Sequence, residues 1–588
     1  MSSVIKSKKE AFLKFILSSY GAFTLGAIIG FLVFLSLFGL DVVNIFFTDW
    51  IWNRSFHDTA QHFIGWQFFA NDSSGAIING LAYPHGLPIT FMDSIPLLAF
   101  IFKAMGFGSD IQYFGIWSLI CFILMGGLSA LIARWLWLKL WPRSKTKLDN
   151  FTQVAFIASV ALIFSMSPMV IARTMYHSAL AGQWLILLAF LLIIKSSKYQ
   201  KWWQFSLVWS SVLIGALLIH PYFLPMLSAM MLVALIKAFQ TNKFWPNGLY
   251  KIIASIALPI ISAGIAFYLI GGFSLGSGAE IYDLEEKGFN LLSFFNPLGY
   301  SKIPSFSNRS SSPETMMWLG VGILIIAIAN LALLFSNGGR LLSKLRSLVV
   351  DKKIKFSLVL VVLLLLLIFA VGPRVDLGPI SLFSYAVPNK IYELWTAFRA
   401  AAREAWPFYY AFIFAVIALF VWLVKKRFRL SMAIKIIIVT LPLAGVIQFY
   451  DIYHSSAVTE KRLSTLKAVQ SSHNFKPLNL NTIYKKQRHL IALDDDFRGD
   501  QSGTYRIART ALVYNGLSLN SGFFARLPKQ VKLEQADWRH RVKNCAIKSS
   551  DTDLNIFFTK NRSLANQVVN CKNGLKISNA DGFYLIYR

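Results

Sequence analysis

Acidic residues are scarce in this chain, which has 28 aspartate and glutamate residues against 58 lysine and arginine residues among 588. Charged residues of all kinds make up 15% of the chain, and hydrophobic residues make up 55%. Such a composition excludes an ordinary soluble domain and predicts an integral membrane protein. Because the cations are spread over many connectors instead of one folded module, nucleic acid is not an expected partner.

Several motifs of soluble enzymes and ion-driven transporters are also missing. The sequence has no glycine-rich nucleotide loop, no Cys/His array with metal-ligand spacing and no serine nucleophile elbow. Its long apolar runs contain no Asp, Glu or Arg, residues that ion-coupled transporters normally keep at mid-membrane depth. These absences favour chemistry at a membrane surface, with any activated donor delivered in the lipid.

Cysteine is rare, with three residues in the whole chain. Cys121 lies in an apolar run, whereas Cys545 and Cys571 lie in the polar region after residue 450. An exported domain would permit a disulfide between the last two, and the sequence leaves open whether they are bridged.

Eleven apolar runs recur before residue 450, and most match the roughly 20 helical residues that cross a hydrocarbon core about 30 Å thick. Two short runs are separated by His220-Pro221-Tyr222, which predicts two helices and a tight turn, with one long kinked helix as the alternative. The stretch 94–107 is shorter and is expected to be interfacial or re-entrant. The runs are 16–40, 113–133, 152–172, 178–194, 204–219, 221–236, 252–271, 315–336, 356–372, 407–424 and 431–449.

Alternate connectors carry the basic residues, and this pattern predicts the orientation of the chain. With eleven crossings, all six basic clusters and the amino terminus lie on the cytoplasmic side, and the carboxyl-terminal region lies outside. The clusters are Lys6 to Lys9, Lys139 to Lys147, Lys195 to Lys201, Lys243 with Lys251, Arg340 to Lys355, and Lys425 to Arg429.

The predicted fold is therefore mainly α: a polytopic helix bundle over 1–450 and a soluble extracytoplasmic mixed α/β domain over 451–588. Short alternating apolar pieces near 489–493 and 582–587 predict strands in the second domain, and 502–526 is expected to be rich in turns. The long outer connectors of the bundle are 41–112, 272–314 and 373–406.

The first outer connector contains a predicted helix, residues 56–69, whose polar residues Asp58, Gln61 and His62 share one face. His62 is one helical turn after Asp58 and is placed to share a hydrogen bond, a metal ion or a phosphate with it. The alternative is an interfacial helix with solvated polar residues. Aromatic rings on its other faces are expected to point into the lipid interface: Phe56, Phe63, Trp66 and Phe69.

Other reactive side chains also fall in the outer connectors. Asp93 lies at the start of the short interfacial helix expected at 94–107 and is either its amino-terminal cap or a second site carboxylate. Arg173 and His177 lie one helical turn apart, and His220 marks the broken helix pair. These residues are candidates for a site at the outer surface.

A helical segment is predicted at 394–407, in which Arg399 and Arg403 point the same way at a spacing of four. Two guanidinium groups at a membrane surface suit a phosphate or pyrophosphate headgroup, because their planar forks form directed, charge-assisted bonds. The alternatives are pairing with Glu404 and binding of ordinary phospholipid.

The pattern resembles the GT-C superfamily of integral-membrane glycosyltransferases, which take a sugar from a polyprenyl phosphate or pyrophosphate carrier. The segments HDTAQHFIGW at 57–66, FMDSIP at 91–96 and FRAAAR at 398–403 look more closely like an uncharacterised bacterial polytopic membrane family, domain of unknown function 6311. That likeness covers roughly residues 20–450.

The resemblance implies an inverting transfer from a polyprenyl-phosphate-linked sugar to an envelope glycan, lipid or protein, outside a bacterial cytoplasmic membrane. Asp58 would match the first-loop carboxylate, as general base or as ligand of a divalent cation, Mg²⁺ or Mn²⁺. Ala60 stands where many members have a second acidic residue, and Asp93 is the candidate substitute. The implied catalytic residues are Asp58, His62 and Asp93, and the implied substrate-binding residues are Gln61, Arg173, His177, His220, Arg399 and Arg403.

Two other functions remain open from the sequence. A flippase or transporter for lipid-linked saccharides would use a similar basic outer site without a catalytic carboxylate. A non-catalytic assembly protein would bind lipid-linked glycan through the carboxyl-terminal domain.

Overall fold

A computed structural model of the chain describes most of the residues between 15 and 587. The described ranges are 15–52, 57–141, 147–174, 176–241, 248–274, 287–307, 313–336, 353–396, 400–466, 476–493, 501–514, 516–522, 529–571 and 574–587.

Long apolar helices dominate the described part of the chain. Nine helical stretches there are long and apolar enough to cross a membrane, and two shorter apolar helices, Val321–Phe335 and Leu358–Val371, lie among them in sequence. These stretches fall on the apolar runs seen in the sequence, so the chain is a multi-pass helical membrane protein. The number of crossings and their direction stay predictions.

The helices are numbered in chain order. In the amino-terminal region they are α1 Ser19–Phe38, α2 His57–Asn71, α3 Pro96–Ala104, α4 Phe114–Leu140, α5 Lys147–Ser165, α6 Pro168–Arg173, α7 Trp184–Lys195, α8 Trp202–Ile219, α9 Phe223–Thr241, α10 Leu249–Leu269, α11 Val321–Phe335, α12 Lys353–Val371, α13 Asn389–Thr396, α14 Trp406–Arg427 and α15 Leu430–Tyr453. In the carboxyl-terminal region they are α16 Ser456–Leu466, α17 Gln501–Val513, α18 Lys529–Lys543, α19 Ser549–Leu554 and α20 Arg562–Asn570.

Glycines allow α1 and α4 to approach closely. A Cβ atom on Gly26 would overlap the carbonyl oxygen of Gly126, and a Cβ atom on Gly126 would overlap the carbonyl oxygen of Gly26. Small residues at such a crossing allow the two backbones to pack directly, which is a common way for helices to associate in lipid. The crossing holds the first outer connector, which joins these two helices, over one end of the bundle.

We expect Gly126→Ala to lower the stability of the folded protein, because the added methyl group forces α1 and α4 apart. Overpacking of this kind costs about 1–3 kcal/mol, enough to outweigh the gain of about 1 kcal/mol in helix propensity. Gly264→Ala is the matched control, because Gly264 lies inside α10 and a Cβ atom added there would meet no atom within 4 Å apart from its chain neighbours and the nearby backbone of its own helix. Thermal unfolding in detergent should show a lower midpoint for the first variant alone, and equal midpoints would contradict the close crossing.

The expected break at His220 is present. Helix α8 ends at Ile219 and α9 begins at Phe223, and His220 between them has an extended backbone. The prediction of two helices is confirmed, and the turn leaves the His220 side chain at the end of the bundle instead of inside it.

The aromatic residues of α2 do not face lipid as the sequence suggested. Phe63, Trp66 and Phe69 are buried, and Trp66 Nε1 donates a hydrogen bond to the carbonyl of Ile111 at 2.9 Å. The prediction was wrong because the rest of the connector and the carboxyl-terminal domain cover the helix, an arrangement that no pattern within 56–69 reveals. Phe56 lies outside the described residues.

The helix expected at 394–407 is interrupted. Helix α13 ends at Thr396, Ala400 has a non-helical backbone, and a short 3₁₀ turn spans Ala401–Ala405 before α14 begins. Arg403 therefore lies in a 3₁₀ turn instead of a continuous helix, and Arg399 lies outside the described residues, so its i, i+4 alignment with Arg403 stays a prediction.

The region after residue 453 is a mixed α/β domain built on one five-stranded sheet of order β6-β5-β7-β9-β8. Strands β5, β6 and β7 are parallel, and β9 is antiparallel to both β7 and β8. Two small hairpins, β1 with β2 and β3 with β4, lie in the outer connectors. The strands are β1 Ile77–Ile78, β2 Leu87–Pro88, β3 Arg374–Leu377, β4 Ile380–Ser384, β5 His489–Ala492, β6 Ser518–Leu519, β7 Asn555–Thr559, β8 Lys576–Ala580 and β9 Phe583–Tyr587.

Two features of this domain settle points that the sequence left open or mispredicted. Cys545 and Cys571 form a disulfide. The expectation of a turn-rich segment at 502–526 was wrong in its first half, which is helix α17, because Ile507, Ala508 and Ala511 form an apolar face that is buried.

The carboxyl-terminal domain is joined to the first outer connector by backbone bonds. The amide of Leu519 in β6 donates to the carbonyl of Gly80 at 2.9 Å, and the amide of Tyr83 donates to the carbonyl of Leu519 at 3.1 Å. The Tyr83 ring stacks on His489 with a centroid separation of 4.0 Å, and the guanidinium of Arg509 lies over Trp52. The domain therefore sits directly on the connector that carries α2.

Candidate active site

Acidic, histidine and arginine side chains from five connectors meet at one end of the helix bundle. The connectors join α1 to α4, α6 to α7, α8 to α9, α10 to α11, and α12 to α14. Each follows an odd-numbered apolar run of the sequence, so their meeting at one end is the arrangement that alternate crossings would produce. We call the residues that meet there the end cluster: Asp58, His62, Asp93, Arg173, His177, His220, Glu314 and Arg403.

Asp58 and His177 form the first contact of the end cluster. Nε2 of His177 donates to Oδ2 of Asp58 at 2.9 Å and lies 3.6 Å from Oε1 of Glu314. The hydroxyl of Thr59 donates to the carbonyl of Tyr176 at 3.1 Å, which fixes α2 to the connector of His177. Burial raises the pKa of Asp58, but the attraction of His177 outweighs it, so the pKa lies below its ordinary value. Asp58 is therefore ionised at neutral pH.

Asp93 forms the second set of contacts in the end cluster, with two histidines. Nε2 of His220 lies 3.1 Å from Oδ1 of Asp93, and Nε2 of His62 lies 3.8 Å from Oδ2, beyond hydrogen-bond length. The amide of Tyr222 donates to Nδ1 of His220 at 3.1 Å, so this ring carries its proton on Nε2 and donates it to Asp93. Burial raises the pKa of Asp93, but His220 and His62 together hold it well below its ordinary value.

Asp93 does not cap the following helix, which was one of its two expected roles. Its backbone is left-handed, with φ of 53°, and the residue before α3 is Ile95, which is also left-handed and makes no side-chain cap. Aspartate tolerates this conformation better than most residues, whereas isoleucine is strained in it. The turn directs the carboxylate toward the two histidines instead of toward the free amides of α3.

Glu314 holds the third contact, between two arginines. Its Oε2 atom lies 3.0 Å from Nη2 of Arg173 and accepts a hydrogen bond of 2.8 Å from Nε of Arg403. The Arg403 guanidinium also lies over the Tyr222 ring, 4.5 Å from its centroid. Burial raises the pKa of Glu314, but the two guanidinium groups hold it well below its ordinary value. The expected alternative partner, Glu404, is buried and does not bond to Arg403 among the described contacts.

His62 is buried without a hydrogen bond at either ring nitrogen among the described residues. Burial lowers its pKa to about 4, against the attraction of Asp93, so the ring is neutral at neutral pH. The Nδ1 atom of His177 is also buried without a hydrogen-bond partner there. Buried polar atoms are nearly always paired, so these nitrogens are candidates for a bound ligand.

The structure brings together most of the residues that the sequence nominated. Seven of them belong to the end cluster, whereas Gln61 lines a small cavity between α2 and the carboxyl-terminal domain, beside Tyr505 and Leu519. Arg399 lies outside the described residues. The seven are Asp58, His62, Asp93, Arg173, His177, His220 and Arg403.

Sequence reasoning missed Glu314 and Tyr222. Glu314 lies in a short turn, Pro313–Thr315, in a connector that also carries Asp283, Glu285 and Glu286, and nothing in the spacing distinguishes it from them. Its position directly before an apolar run was the available signal. Tyr222 follows the His220-Pro221 turn, and its ring was not expected to contact an arginine from a distant connector.

The fold and the end cluster together define a multi-pass helical membrane protein with an acid, histidine and arginine site at one end of its bundle. The chain belongs to the family described as Domain of unknown function (DUF6311), whose sequence profile matches residues 27–453. The matched range contains the whole end cluster and stops at the last residue of α15. Neither the curated proteins nor the solved structures contain a match to the chain.

Proposed function

We propose that the protein is a membrane glycosyltransferase of the GT-C type, which moves a sugar from a polyprenyl-phosphate carrier to an envelope glycan, lipid or protein. The observation that supports this best is the chain of contacts from Asp58 through His177 and Glu314 to Arg173 and Arg403. It joins a carboxylate to two guanidinium groups within one site. Proton removal and stabilisation of a leaving phosphate need these two kinds of group.

The proposed reaction is a direct displacement at the anomeric carbon. The acceptor hydroxyl gives its proton to Asp58, and its oxygen forms a bond to the anomeric carbon. The bond from that carbon to the phosphate oxygen breaks, and the electron pair leaves with the polyprenyl phosphate. Arg403 and Arg173 would stabilise the negative charge on the leaving oxygen, and attack from the opposite face inverts the anomeric centre. His177 holds the carboxylate of Asp58 in place.

Three features support a site on the outer face of a bacterial cytoplasmic membrane. The disulfide in the carboxyl-terminal domain suits an oxidising compartment, and this domain packs on the connector that carries α2. Nζ of Lys425 donates to the carbonyl of Leu140 at 2.6 Å, which joins the last turns of α4 and α14. Both last turns lead into basic connectors, and these connectors therefore meet at an end of the bundle away from the end cluster. Basic connectors on the cytoplasmic side place the end cluster and the carboxyl-terminal domain outside.

The direct test is incubation of the purified protein with a panel of polyprenyl-phosphate sugars and envelope acceptors. We expect release of the polyprenyl phosphate and appearance of a glycosylated acceptor. Movement of an intact lipid-linked saccharide across proteoliposomes, without cleavage, would instead establish the flippase. Binding of lipid-linked glycan with neither cleavage nor movement would establish the assembly protein.

We expect Arg403→Ala to raise the KM for the lipid-linked donor by about 10- to 150-fold, the equivalent of one lost charge-assisted hydrogen bond of about 1.5–3 kcal/mol. Glu314 keeps Arg173 as its partner in this variant, so the fold should persist. Arg427→Ala is the matched control, because this arginine is exposed at the far end of the same helical stretch, Ala401–Arg427. Equal donor KM values in the two variants would remove Arg403 from donor binding.

A further inference from the structure

We propose that His62, Asp93 and His177 bind one divalent first-row transition-metal ion, with Zn²⁺ as the best-matched ion. One donor atom from each of the three side chains lies within 4.8 Å of the others. An ion with bonds of about 2.1 Å in tetrahedral geometry separates its ligand atoms by about 3.4 Å. The 3.8 Å between Nε2 of His62 and Oδ2 of Asp93 is already close to that spacing.

The burial of His62 is the strongest argument for a ligand. The side chain is only 1% exposed, and neither ring nitrogen has a hydrogen-bond partner among the described residues. Leaving a polar group unpaired in the interior costs about 1–3 kcal/mol. A metal ion bound at Nε2 would remove that cost on the side that faces Asp93.

The neighbours of the three ligands have the arrangement of an outer coordination shell. His220 donates to Oδ1 of Asp93, which orients the other oxygen, Oδ2, toward His62. Asp58 accepts from Nε2 of His177, which leaves Nδ1 as the nitrogen without a hydrogen bond. Metal-binding histidines commonly donate their other ring N–H to a carboxylate, which sets the tautomer and fixes the ring.

The donor atoms decide which ions fit. Two imidazole nitrogens and one carboxylate suit Zn²⁺ and other first-row transition metals, whereas Mg²⁺ prefers oxygen ligands and keeps most of its water. The site therefore differs from the one expected from the sequence, where Asp58 was the candidate ligand and Mg²⁺ one of two candidate ions. In the structure Asp58 orients a ligand instead.

The net charge of the end cluster indicates that the ion would help to bind phosphate. This step alone rests on the proposed function. Three carboxylates against two guanidinium groups leave the described cluster with a formal charge of −1, when its histidines are left out of the count. A phosphate would be repelled by that net charge, while a bound divalent cation would make it positive. The carboxylate of Glu314 offsets part of the positive charge of both arginines, so the cation would add to the attraction that they provide.

The test is metal binding by the full-length protein in detergent, after removal of metal with a chelator. Isothermal titration with Zn²⁺ should give one site per chain, and Co²⁺ should give the visible absorption bands of nitrogen and oxygen coordination. His62→Ala and Asp93→Asn should each abolish that site. His220→Phe should weaken it by about 10- to 100-fold, as expected for a lost outer-shell partner.

His540→Ala is the matched control, because His540 is exposed on α18, and it should bind like the unaltered chain. Where His62→Ala does not fold, Asp93→Asn decides the question, because it keeps the size of the side chain and removes the charge. The proposal is overturned by the lack of stoichiometric binding in the unaltered chain, or by unchanged affinity in the folded ligand variants. The assay uses no sugar donor, so its outcome is independent of whether the protein transfers sugar.

Discussion

Asp58→Asn should leave the protein folded in the membrane and reduce sugar transfer by roughly 10²- to 10⁴-fold, the usual contribution of a general base. Asparagine has nearly the same shape and still accepts a hydrogen bond from His177, but it cannot take the proton of the acceptor hydroxyl. The effect should therefore fall on kcat, with little change in the KM for the donor. Steady-state kinetics with the donor identified from the panel provides the measurement.

Two controls separate this result from structural damage. Asp110→Asn makes the same chemical change at an exposed position of the same connector and should keep full activity. Saturating Zn²⁺ or Mn²⁺ should not restore the Asp58→Asn variant, which distinguishes a lost base from weakened metal binding. Full activity of Asp58→Asn would remove this residue from the mechanism.

Glu314→Ala should cause the largest loss of stability among single substitutions in the end cluster. The carboxylate is the shared partner of Arg173 and Arg403, both of which are buried. Its removal takes a shared negative charge away from two buried guanidinium groups, and breaking a buried pair in this way costs about 3–5 kcal/mol. Thermal or denaturant-induced unfolding should show that loss of stability, together with a lower yield of folded protein.

The matched control is Glu393→Ala, which removes an exposed glutamate from α13. The unfolding midpoint of this control should equal that of the unaltered chain within experimental error. A Glu314→Ala variant as stable as this control would show that solvent compensates the arginines, and the ion network would then not organise the site. Glu314→Gln, which keeps a hydrogen-bond acceptor, should lie between the two.

The alternation of connectors predicted which residues would converge, because it depends only on the number of apolar runs between them. Asp58, His177 and Arg403 are far apart in the chain, yet each follows an odd-numbered run, so one end of a bundle can hold all three. The sequence could not predict which carboxylate pairs with which histidine or arginine. Spacing along the chain carries no information on these contacts, and Glu314 was missed for that reason.

One expectation about local structure was wrong, and one of two alternatives left open for Asp93 was excluded, for a related reason. An aromatic helix face has the same sequence pattern whether lipid or protein covers it, and Trp66 is covered by protein. An aspartate before a helix usually caps it, but the left-handed turn at Asp93 points its carboxylate elsewhere. In both places tertiary contacts from distant segments override a local preference, and such contacts lie beyond any window of the sequence.

The backbone bonds between β6 and the first outer connector bear on how the protein is made. Gly80 and Tyr83 are synthesised early, whereas their partner Leu519 emerges from the ribosome more than 400 residues later. The helix with Asp58 therefore stays uncovered by the carboxyl-terminal domain while the rest of the bundle is inserted. Biogenesis would then include a late docking step, in which the carboxyl-terminal domain covers α2 only after the whole bundle between them has been synthesised.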